Sequence, residues 1–183
     1  MDIKCSHIVL DACCILNLCA SGHLIEIIRS IPAQVVVTQV VRDKELLTLQ
    51  RLVEEANEEL NPFEEAIDKE LITVEDFKSE GEEETFVYYA FELGDDGESA
   101  SGAIAVHRQW AIATDDKRAI SFFQREAPQL EILSTLDIIK HWSETEKVSL
   151  VRLRSVLTAI RIRGRYIPPR NHPLLRWWEE AMR

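Results

Sequence analysis

Short apolar runs alternate with helix-like segments along most of the chain. Five of these runs are typical of buried strands because they are continuously apolar or rich in β-branched residues. They cover residues 7–11, 33–38, 71–77, 111–114 and 130–135. Strands that alternate with helices predict an α/β fold, in which helices cover both faces of a mainly parallel sheet of about five strands.

The segments between these runs have apolar residues at helical spacing, which predicts that they form helices. QVVRDKELLTLQRLVEEANEEL, residues 39–60, is predicted to form one helix with Thr38 as its cap. EEETFVYYAFELG is predicted to form a second helix that ends at Gly94, because glycine suits a left-handed cap. A third helix, from Glu98 to about Gln109, begins with small residues that would let it lie close to its neighbours.

The length of 183 residues fits one domain of ordinary size. We expect a main domain over residues 1–146 and a basic helical extension over 147–183 that packs on the same domain. Neither an apolar stretch of about 18 residues nor a signal peptide is apparent, which predicts a cytoplasmic protein without a membrane partner. The four cysteines lack paired CxxC spacing, so we interpret them as reduced, packed thiols: Cys5, Cys13, Cys14 and Cys19.

The net charge of −11 argues against a nucleic-acid partner until its distribution is considered. Fourteen acidic residues and only two lysines lie between Glu54 and Glu84. The segment from Lys147 to Arg183 contains nine basic residues and only two acidic ones. This separation is compatible with one acidic and one basic face, so the overall charge does not exclude RNA.

Several carboxylates fall at the ends of predicted elements. Asp11 ends the first strand, Asp115 and Asp116 follow the fourth, and Glu98 opens the helix that leads into the fourth strand. Ligand sites of parallel sheets form beyond the carboxyl ends of the strands, so these acids are expected at one edge. Carboxylates at close range require a cation, and oxygen ligands suit Mg²⁺ or Mn²⁺. Taken singly, each acid could instead serve only as a helix cap.

Four motifs in this order carry a family resemblance: HIVLDACCILNL, VVVTQVVRDKEL, DDGESASGAIAVH and AIATDDKRA. The chain resembles the PIN-domain ribonucleases, which include the VapC-like toxins of toxin-antitoxin pairs. The resemblance covers about residues 7–140 and implies a PIN-like three-layer α/β/α fold. It further implies a Mg²⁺ or Mn²⁺ site, hydrolysis of RNA to 5′-phosphate and 3′-hydroxyl ends, and an antitoxin protein as a partner. By this resemblance Asp11, Glu98 and Asp116, with Asp115 beside it, hold the metal.

Two positions depart from the family pattern. The second acidic position of the family falls on Lys44, and Asp43 or Glu45 on either side is the alternative catalytic residue. Cys13 stands where a Ser or Thr commonly helps to hold the first Asp. The catalytic set implied by the resemblance is therefore Asp11, Asp43 or Glu45, Glu98 and Asp116. The alternative function is a catalytically weakened PIN-like module that binds RNA or a protein partner without cleavage.

The C-terminal segment is the least typical of the family. SLVRLRSVLTAIRIRGR predicts a helix with Ser149 as its cap and an apolar stripe that faces the core: Leu150, Leu153, Leu157 and Ile160. Its arginines are interpreted either as contacts to the RNA backbone or as a solvated helix face: Arg154, Arg161, Arg163 and Arg165. A short final helix carries Trp177 and Trp178, which suggest docking on the body, a homodimer contact or an antitoxin groove.

Overall fold

The computed structural model describes residues 5–46 and 61–183. Helices and strands alternate along both ranges, as the sequence predicts. In chain order the elements are β1 (His7–Leu10), α1 (Ala12–Ala20), α2 (Leu24–Ser30), β2 (Gln34–Thr38), a π-helical segment (Val41–Leu46), α3 (Asn61–Asp68), β3 (Ile72–Glu75), α4 (Glu80–Leu93), α5 (Asp96–Arg108), β4 (Ala111–Ala113), α6 (Lys117–Glu126), β5 (Ile132–Leu133), α7 (Thr135–Thr145), α8 (Leu150–Ile162) and α9 (Leu175–Met182).

All five strands run parallel, in the order β3-β2-β1-β4-β5. In the centre, Val9 of β1 lies between Val36 of β2 and Ile112 of β4. The predicted parallel sheet of about five strands is therefore confirmed. Because the strands are parallel, their carboxyl ends lie along one edge, and Asp11 follows β1 directly at that edge.

Successive residues of β1 face opposite sides of the sheet and meet different helices. Ile8 and Leu10 are buried in the larger core cluster, which includes residues of α1, α2, α7 and α8. Val9 is buried in the second cluster, which includes residues of α4, α5 and α6. Alternation of side chains along a strand places these clusters on the two faces. Helices thus cover both faces, and the predicted three-layer α/β/α architecture is confirmed.

Helix α5 lies close to α6 because its surface carries small residues. A Cβ atom on Gly102 would lie 2.4 Å from the ring of Phe123, and Ser99 and Ser101 are fully buried. The helix begins at Asp96, two residues before the predicted start, and the side chain of Asp95 accepts a hydrogen bond from the Glu98 amide at 2.9 Å. This cap fixes the first turn, which carries Glu98.

The segment after β2 differs from its prediction. The Thr38 hydroxyl accepts a hydrogen bond from the Val41 amide at 3.2 Å, which confirms Thr38 as the cap. The turns that follow are π-helical over Val41–Leu46 and not α-helical. Residues 47–60 of the predicted helix lie outside the described residues. A π-helical turn places successive side chains at angles that α-helical spacing does not give.

Helix α8 joins the core on the face of the sheet that carries α1. Leu153, Leu157 and Ile160 are buried as predicted, whereas Leu150 is 57% exposed. Leu150 is the first residue of the helix, and Val156 is buried in addition. The prediction that Leu150 faces the core is therefore wrong. The Ser149 hydroxyl accepts a hydrogen bond from the Arg152 amide, which confirms the predicted cap.

The final helix, α9, packs on the body. Trp177 and Trp178 are both half-buried against the larger core cluster. The first of the three suggested roles, docking on the body, is therefore confirmed, and the dimer and antitoxin roles stay predictions. The division at residues 146 and 147 also stays a prediction.

No single helix in the described ranges is long and apolar enough to cross a membrane; α1 and α2 reach that length only as a pair bent by 118°.

Candidate metal centre

A cavity of about 340 Å³ opens beside the ends of β1 and β4. Its lining brings together Glu98, Asp115 and Asp116, which the sequence predicts to meet at this edge. Further lining comes from α1 and from the turn after α8: Cys13, Leu16, Asn17, Gly164, Arg165 and Tyr166. Glu98 begins one helix and the consecutive Asp115 and Asp116 follow β4, so the fold brings together carboxylates from two parts of the chain.

Asp11 lies behind Cys13 and does not itself line the cavity. It is 2% exposed, and its Oδ2 accepts hydrogen bonds from the Cys13 thiol at 2.9 Å and the Thr114 hydroxyl at 3.2 Å. Its other oxygen, Oδ1, is buried and has no hydrogen-bond partner. A buried carboxylate oxygen without a donor is costly, so this atom has capacity left to accept a ligand.

Burial raises the pKa of Asp11 above its ordinary value. The hydrogen bonds from Cys13 and Thr114 act in the opposite direction, and the negative charge of Asp95 adds to the rise. A bound cation would stabilise the ionised form and reverse this effect. The electrostatics of Asp11 therefore favour a positive ligand at the site.

Asp115 is bound by the protein through both oxygens. Its Oδ1 accepts from the Thr135 amide at 3.0 Å, and its Oδ2 accepts from Asn17 Nδ2 at 3.0 Å and from the Thr135 hydroxyl. These bonds join the end of β4 to the start of α7 and to the second turn of α1. Asp115 is thus a support of the site, and its oxygens have less capacity left for an ion.

Asp116 and Glu98 lie in the first turns of their helices. Asp116 caps α6, and its Oδ1 accepts from the amides of Arg118 and Ala119 at 2.7 and 2.9 Å. This cap engages one of its two oxygens. Glu98 is half-buried in the first turn of α5. Both carboxylates therefore combine favourable positions at helix N-termini with access to the cavity.

Two thiols complete a group that could hold a metal ion. Ligand atoms of Cys13, Cys14 and Asp115 all lie within 4.8 Å of one another. All four cysteines are free thiols, as predicted, but no sequence pattern indicated that two of them meet a carboxylate. The neighbouring Cys14 lowers the pKa of Cys13, whereas burial and the charges of Asp11 and Asp115 raise it above its ordinary value. Burial likewise raises the pKa of Cys14.

The second acidic position of the family is only partly described. Asp43 is exposed, and its Oδ2 accepts from Gln39 Nε2 at 2.7 Å. It is not among the lining residues of the cavity. The side chains of Lys44 and Glu45 lie outside the described part of the chain. The choice between Asp43 and Glu45 therefore stays a prediction.

The four arginines of the C-terminal segment have different surroundings. Arg154 Nε donates to the Ala181 carbonyl at 3.3 Å and ties α8 to α9. Arg161, Arg163 and Arg165 are all exposed, and Arg165 also lines the cavity. A role in RNA binding stays a prediction for all four.

Sequence reasoning missed four residues of the site. Asp95 and Asn17 had a local signal, because Asp95 precedes the predicted helix and Asn17 lies one turn from Cys13 on an otherwise apolar helix. Thr135 and Tyr166 had none, since only tertiary folding brings Thr135 to Asp115 and Tyr166 to the cavity. The Tyr166 hydroxyl is buried without a partner in hydrogen-bond geometry. Burial raises its pKa, and the nearby charge of Asp115 adds to the rise.

Comparison with known proteins does not name a family. No model of a known protein family matches the chain, and no curated protein matches it in sequence. The resemblance to PIN-domain ribonucleases thus remains a prediction based on the four motifs. What the structure shows is an all-parallel α/β fold with a possible metal-binding group of thiols and a carboxylate at its site edge.

Proposed function

We propose that the chain is a divalent-metal-dependent ribonuclease of the PIN type, which hydrolyses RNA phosphodiester bonds. The observation that carries this proposal is the buried Oδ1 of Asp11, which has no hydrogen-bond partner. It belongs to the residue that follows the central strand, beside a cavity lined by three further carboxylates. Such a concentration of negative charge calls for a cation.

The ligand atoms that lie within 4.8 Å of one another belong to Cys13, Cys14 and Asp115, and the proposed hard ion is supported by the carboxylates around this group. Asp11, Glu98 and Asp116 offer carboxylate oxygens, which Mg²⁺ and Mn²⁺ prefer. Asp115 contributes less, because both of its oxygens already accept hydrogen bonds. When bound, such an ion would polarise the scissile phosphate and lower the pKa of an attacking water.

Hydrogen bonds from neighbouring residues would fix the orientation of the metal-binding carboxylates. Cys13 and Thr114 both donate to Oδ2 of Asp11, which would leave Oδ1 as the oxygen available to hold the ion. Cys13 thus supplies the donor that a Ser or Thr supplies in the family pattern. Asp116 or Glu98 would orient the attacking water or accept its proton.

The test is the variant Asp11→Asn, which keeps the shape of the side chain and removes its charge. We expect Mn²⁺ affinity, measured by calorimetry, to fall by more than about 100-fold, because even groups behind a metal ligand contribute 10–100-fold. Cleavage of RNA with Mn²⁺ is expected to be abolished while the circular dichroism spectrum stays unchanged.

Asp68→Asn is the matched control, since Asp68 is exposed on α3 and does not line the cavity. This control should bind Mn²⁺ and cleave RNA as the wild type does. Undiminished metal-dependent cleavage by Asp11→Asn would remove Asp11 from the site and with it the proposed mechanism.

A second candidate is a module that binds RNA or a protein without cleavage. It is favoured by the two carboxylates that are already engaged: Asp115 through both oxygens, and Asp43 through Gln39. Fewer available ligands would weaken the ion's hold. RNA binding by the folded wild type, with no cleavage in millimolar Mn²⁺, would favour this function over the ribonuclease.

The toxin role is supported by the resemblance alone. The same holds for an antitoxin protein and for a second copy of the chain as partners. A gene for a small DNA-binding protein beside the gene for this chain would support the toxin-antitoxin pair specifically.

A further inference from the structure

The C-terminal segment reaches the carboxylate cavity. Gly164, Arg165 and Tyr166, which follow α8, line it together with Glu98 and Asp116. The family resemblance ends at about residue 140, so it does not account for these three residues. Their presence raises the question of what the segment contributes to the site.

The turn after α8 packs tightly against Asn17, the residue that donates a hydrogen bond to Asp115. A Cβ atom on Gly164 would lie 2.6 Å from Asn17 Oδ1 and 2.8 Å from the Ile160 carbonyl oxygen. Asn17 in turn donates to Asp115 Oδ2 at 3.0 Å. Only glycine leaves room for this approach, so the position of Arg165 is coupled to the carboxylate site.

Arg165 adopts a backbone conformation that disfavours its side chain. Its φ angle is 53°, in the left-handed region where glycine is preferred. Three other residues that follow helices share this conformation: Glu70, Gln109 and Lys147. Of these four residues, Arg165 is the one that lines the cavity. The position at the cavity, and not the backbone conformation, therefore sets Arg165 apart from the other three.

Among the described residues that line the cavity, Arg165 is the one with a positive charge. Within residues 5–46 and 61–183 no carboxylate forms an ion pair with it, whereas Arg152 on the same segment pairs with Glu26 at 2.6 Å. A guanidinium without such a partner is available to an anion, and its planar geometry matches the oxygens of phosphate. The Tyr166 hydroxyl is buried at the same cavity, near the Asp115 carboxylate, and forms no hydrogen bond in the observed geometry.

We propose that Arg165 positions the phosphate group of the substrate in this cavity, and that the C-terminal segment thereby completes the site. Carboxylates for a cation and a guanidinium for an anion suit a phosphate that is bound together with a metal ion. The identification of this phosphate as an RNA phosphodiester rests on the proposed function. All three arginines are exposed, and Arg165 is distinguished from Arg161 and Arg163 because it lines the cavity and they do not.

The first experiment uses inorganic phosphate as the probe, titrated into the full chain with Mg²⁺ present. We expect Arg165→Ala to weaken phosphate binding by about 10- to 100-fold, the range for a lost charge-assisted hydrogen bond. Arg161→Ala, which removes the same charge from α8, is the matched control and should change the affinity by less than about twofold. Mn²⁺ affinity of Arg165→Ala should be unchanged or higher, because a positive charge is removed.

A second variant, Arg165→Gly, separates function from folding. Glycine relaxes the left-handed backbone, so the melting temperature should not fall, whereas phosphate binding should fall as in Arg165→Ala. If the wild type cleaves RNA, both variants should lower kcat/KM by a similar factor with Mn²⁺ affinity retained.

The outcomes separate the two proposals. An absence of RNA cleavage, together with phosphate binding that depends on Arg165, would contradict the ribonuclease and support the role of Arg165. Three results would overturn that role: no phosphate binding by the wild type, equal binding by Arg165→Ala, or an equal loss in Arg161→Ala, which would indicate diffuse charge.

Discussion

Cys13 determines how Asp11 is held at the edge of the sheet. Its thiol donates to Asp11 Oδ2 and also accepts from the Asp115 amide at 3.3 Å. One sulfur atom therefore links the residues that follow β1 and β4. The same sulfur belongs to the group with Cys14 and Asp115 that could hold an ion. Its role is either to position a carboxylate or to bind the ion directly.

Substitution of Cys13 distinguishes these roles. Cys13→Ser keeps a donor for Asp11, so we expect Mn²⁺ affinity within about threefold of the wild type. Cys13→Ala removes the donor and should weaken Mn²⁺ binding by about 10-fold or more, as is usual for groups behind a metal ligand. Calorimetry with Mn²⁺ and Zn²⁺ measures both. If the serine variant loses Zn²⁺ and Mn²⁺ alike, sulfur is a ligand and the oxygen site is wrong.

At the scale of single residues, the sequence predicts which acidic residues lie close together but not the hydrogen bonds that they form. Glu98, Asp115 and Asp116 are found at one cavity because strand ends and helix starts coincide there. That Asp115 is engaged by Thr135 depends on the start of α7, far along the chain. Such contacts are set by packing between elements, and local patterns do not encode them.

Among the elements, the turn that ends α8 connects packing to the site. Gly164 lies against Asn17 of α1 and the Ile160 carbonyl of its own helix. The Tyr166 amide donates back to Ile160 at 3.4 Å and closes the helix end. Any side chain at Gly164 would therefore move α8, α1 or the turn between Ile162 and Tyr166.

We predict that Gly164→Ala destabilises the protein by about 1–3 kcal/mol, the usual range for overpacking. Melting temperature should fall by about 2–4 °C for each kcal/mol, measured by thermal unfolding. Metal affinity should fall with it, since Asn17 supports Asp115.

Gly94→Ala is the control for this variant. Gly94 has φ 68° and no atom within 4 Å of the added Cβ, so only backbone strain acts there. Its melting temperature should fall while Mn²⁺ binding is retained. Equal metal binding by Gly164→Ala and the wild type would contradict the coupling between the turn and the site.

The elements themselves were largely predictable, with two informative exceptions. Continuous apolar strands and the caps Thr38, Gly94 and Ser149 are local features, and all are found. Leu150 fits the apolar stripe yet is exposed, as is its neighbour Val151 in the first turn of α8. The π-helical segment was not foreseen, since apolar spacing alone does not separate it from an α-helix.

For the whole molecule, a buried ion-pair network joins three elements. Arg108 of α5 donates to Glu82 of α4 and to Glu75 of β3, each at 2.7 Å. The side chains of Arg108 and Glu82 are 12% and 4% exposed. Hydrogen bonds from Arg108 lower the pKa of Glu82 below its ordinary value, and burial opposes them. The network therefore stabilises the fold while Glu82 is ionised.

We predict that Glu82→Gln destabilises the protein by about 3 kcal/mol, because Arg108 loses a buried partner. Since the folded pKa of Glu82 is lowered, its contribution is present above its ordinary pKa of about 4.3 and is lost as the pH falls below that value. Denaturant unfolding at several pH values should show that the difference in free energy of unfolding between wild type and variant decreases at acidic pH.

Glu26→Gln removes an exposed pair with Arg152 and is the control. It should cost less than about 1 kcal/mol at any pH. A gap for Glu82→Gln that stays constant into acid would show that packing, and not ionisation, is responsible for the destabilisation.

The central position of β1 has a consequence for how the chain is made. Ile8 pairs with Val35 on one side and with Ala111 on the other, so the second partner is synthesised long after the first. Until Ala111 has emerged from the ribosome, one edge of a strand with fully buried side chains has no neighbour to pair with. An unpaired apolar edge is a template for contact with other chains. The aggregation hazard of the nascent protein thus lies at its first strand, which becomes the best protected one once folding is complete.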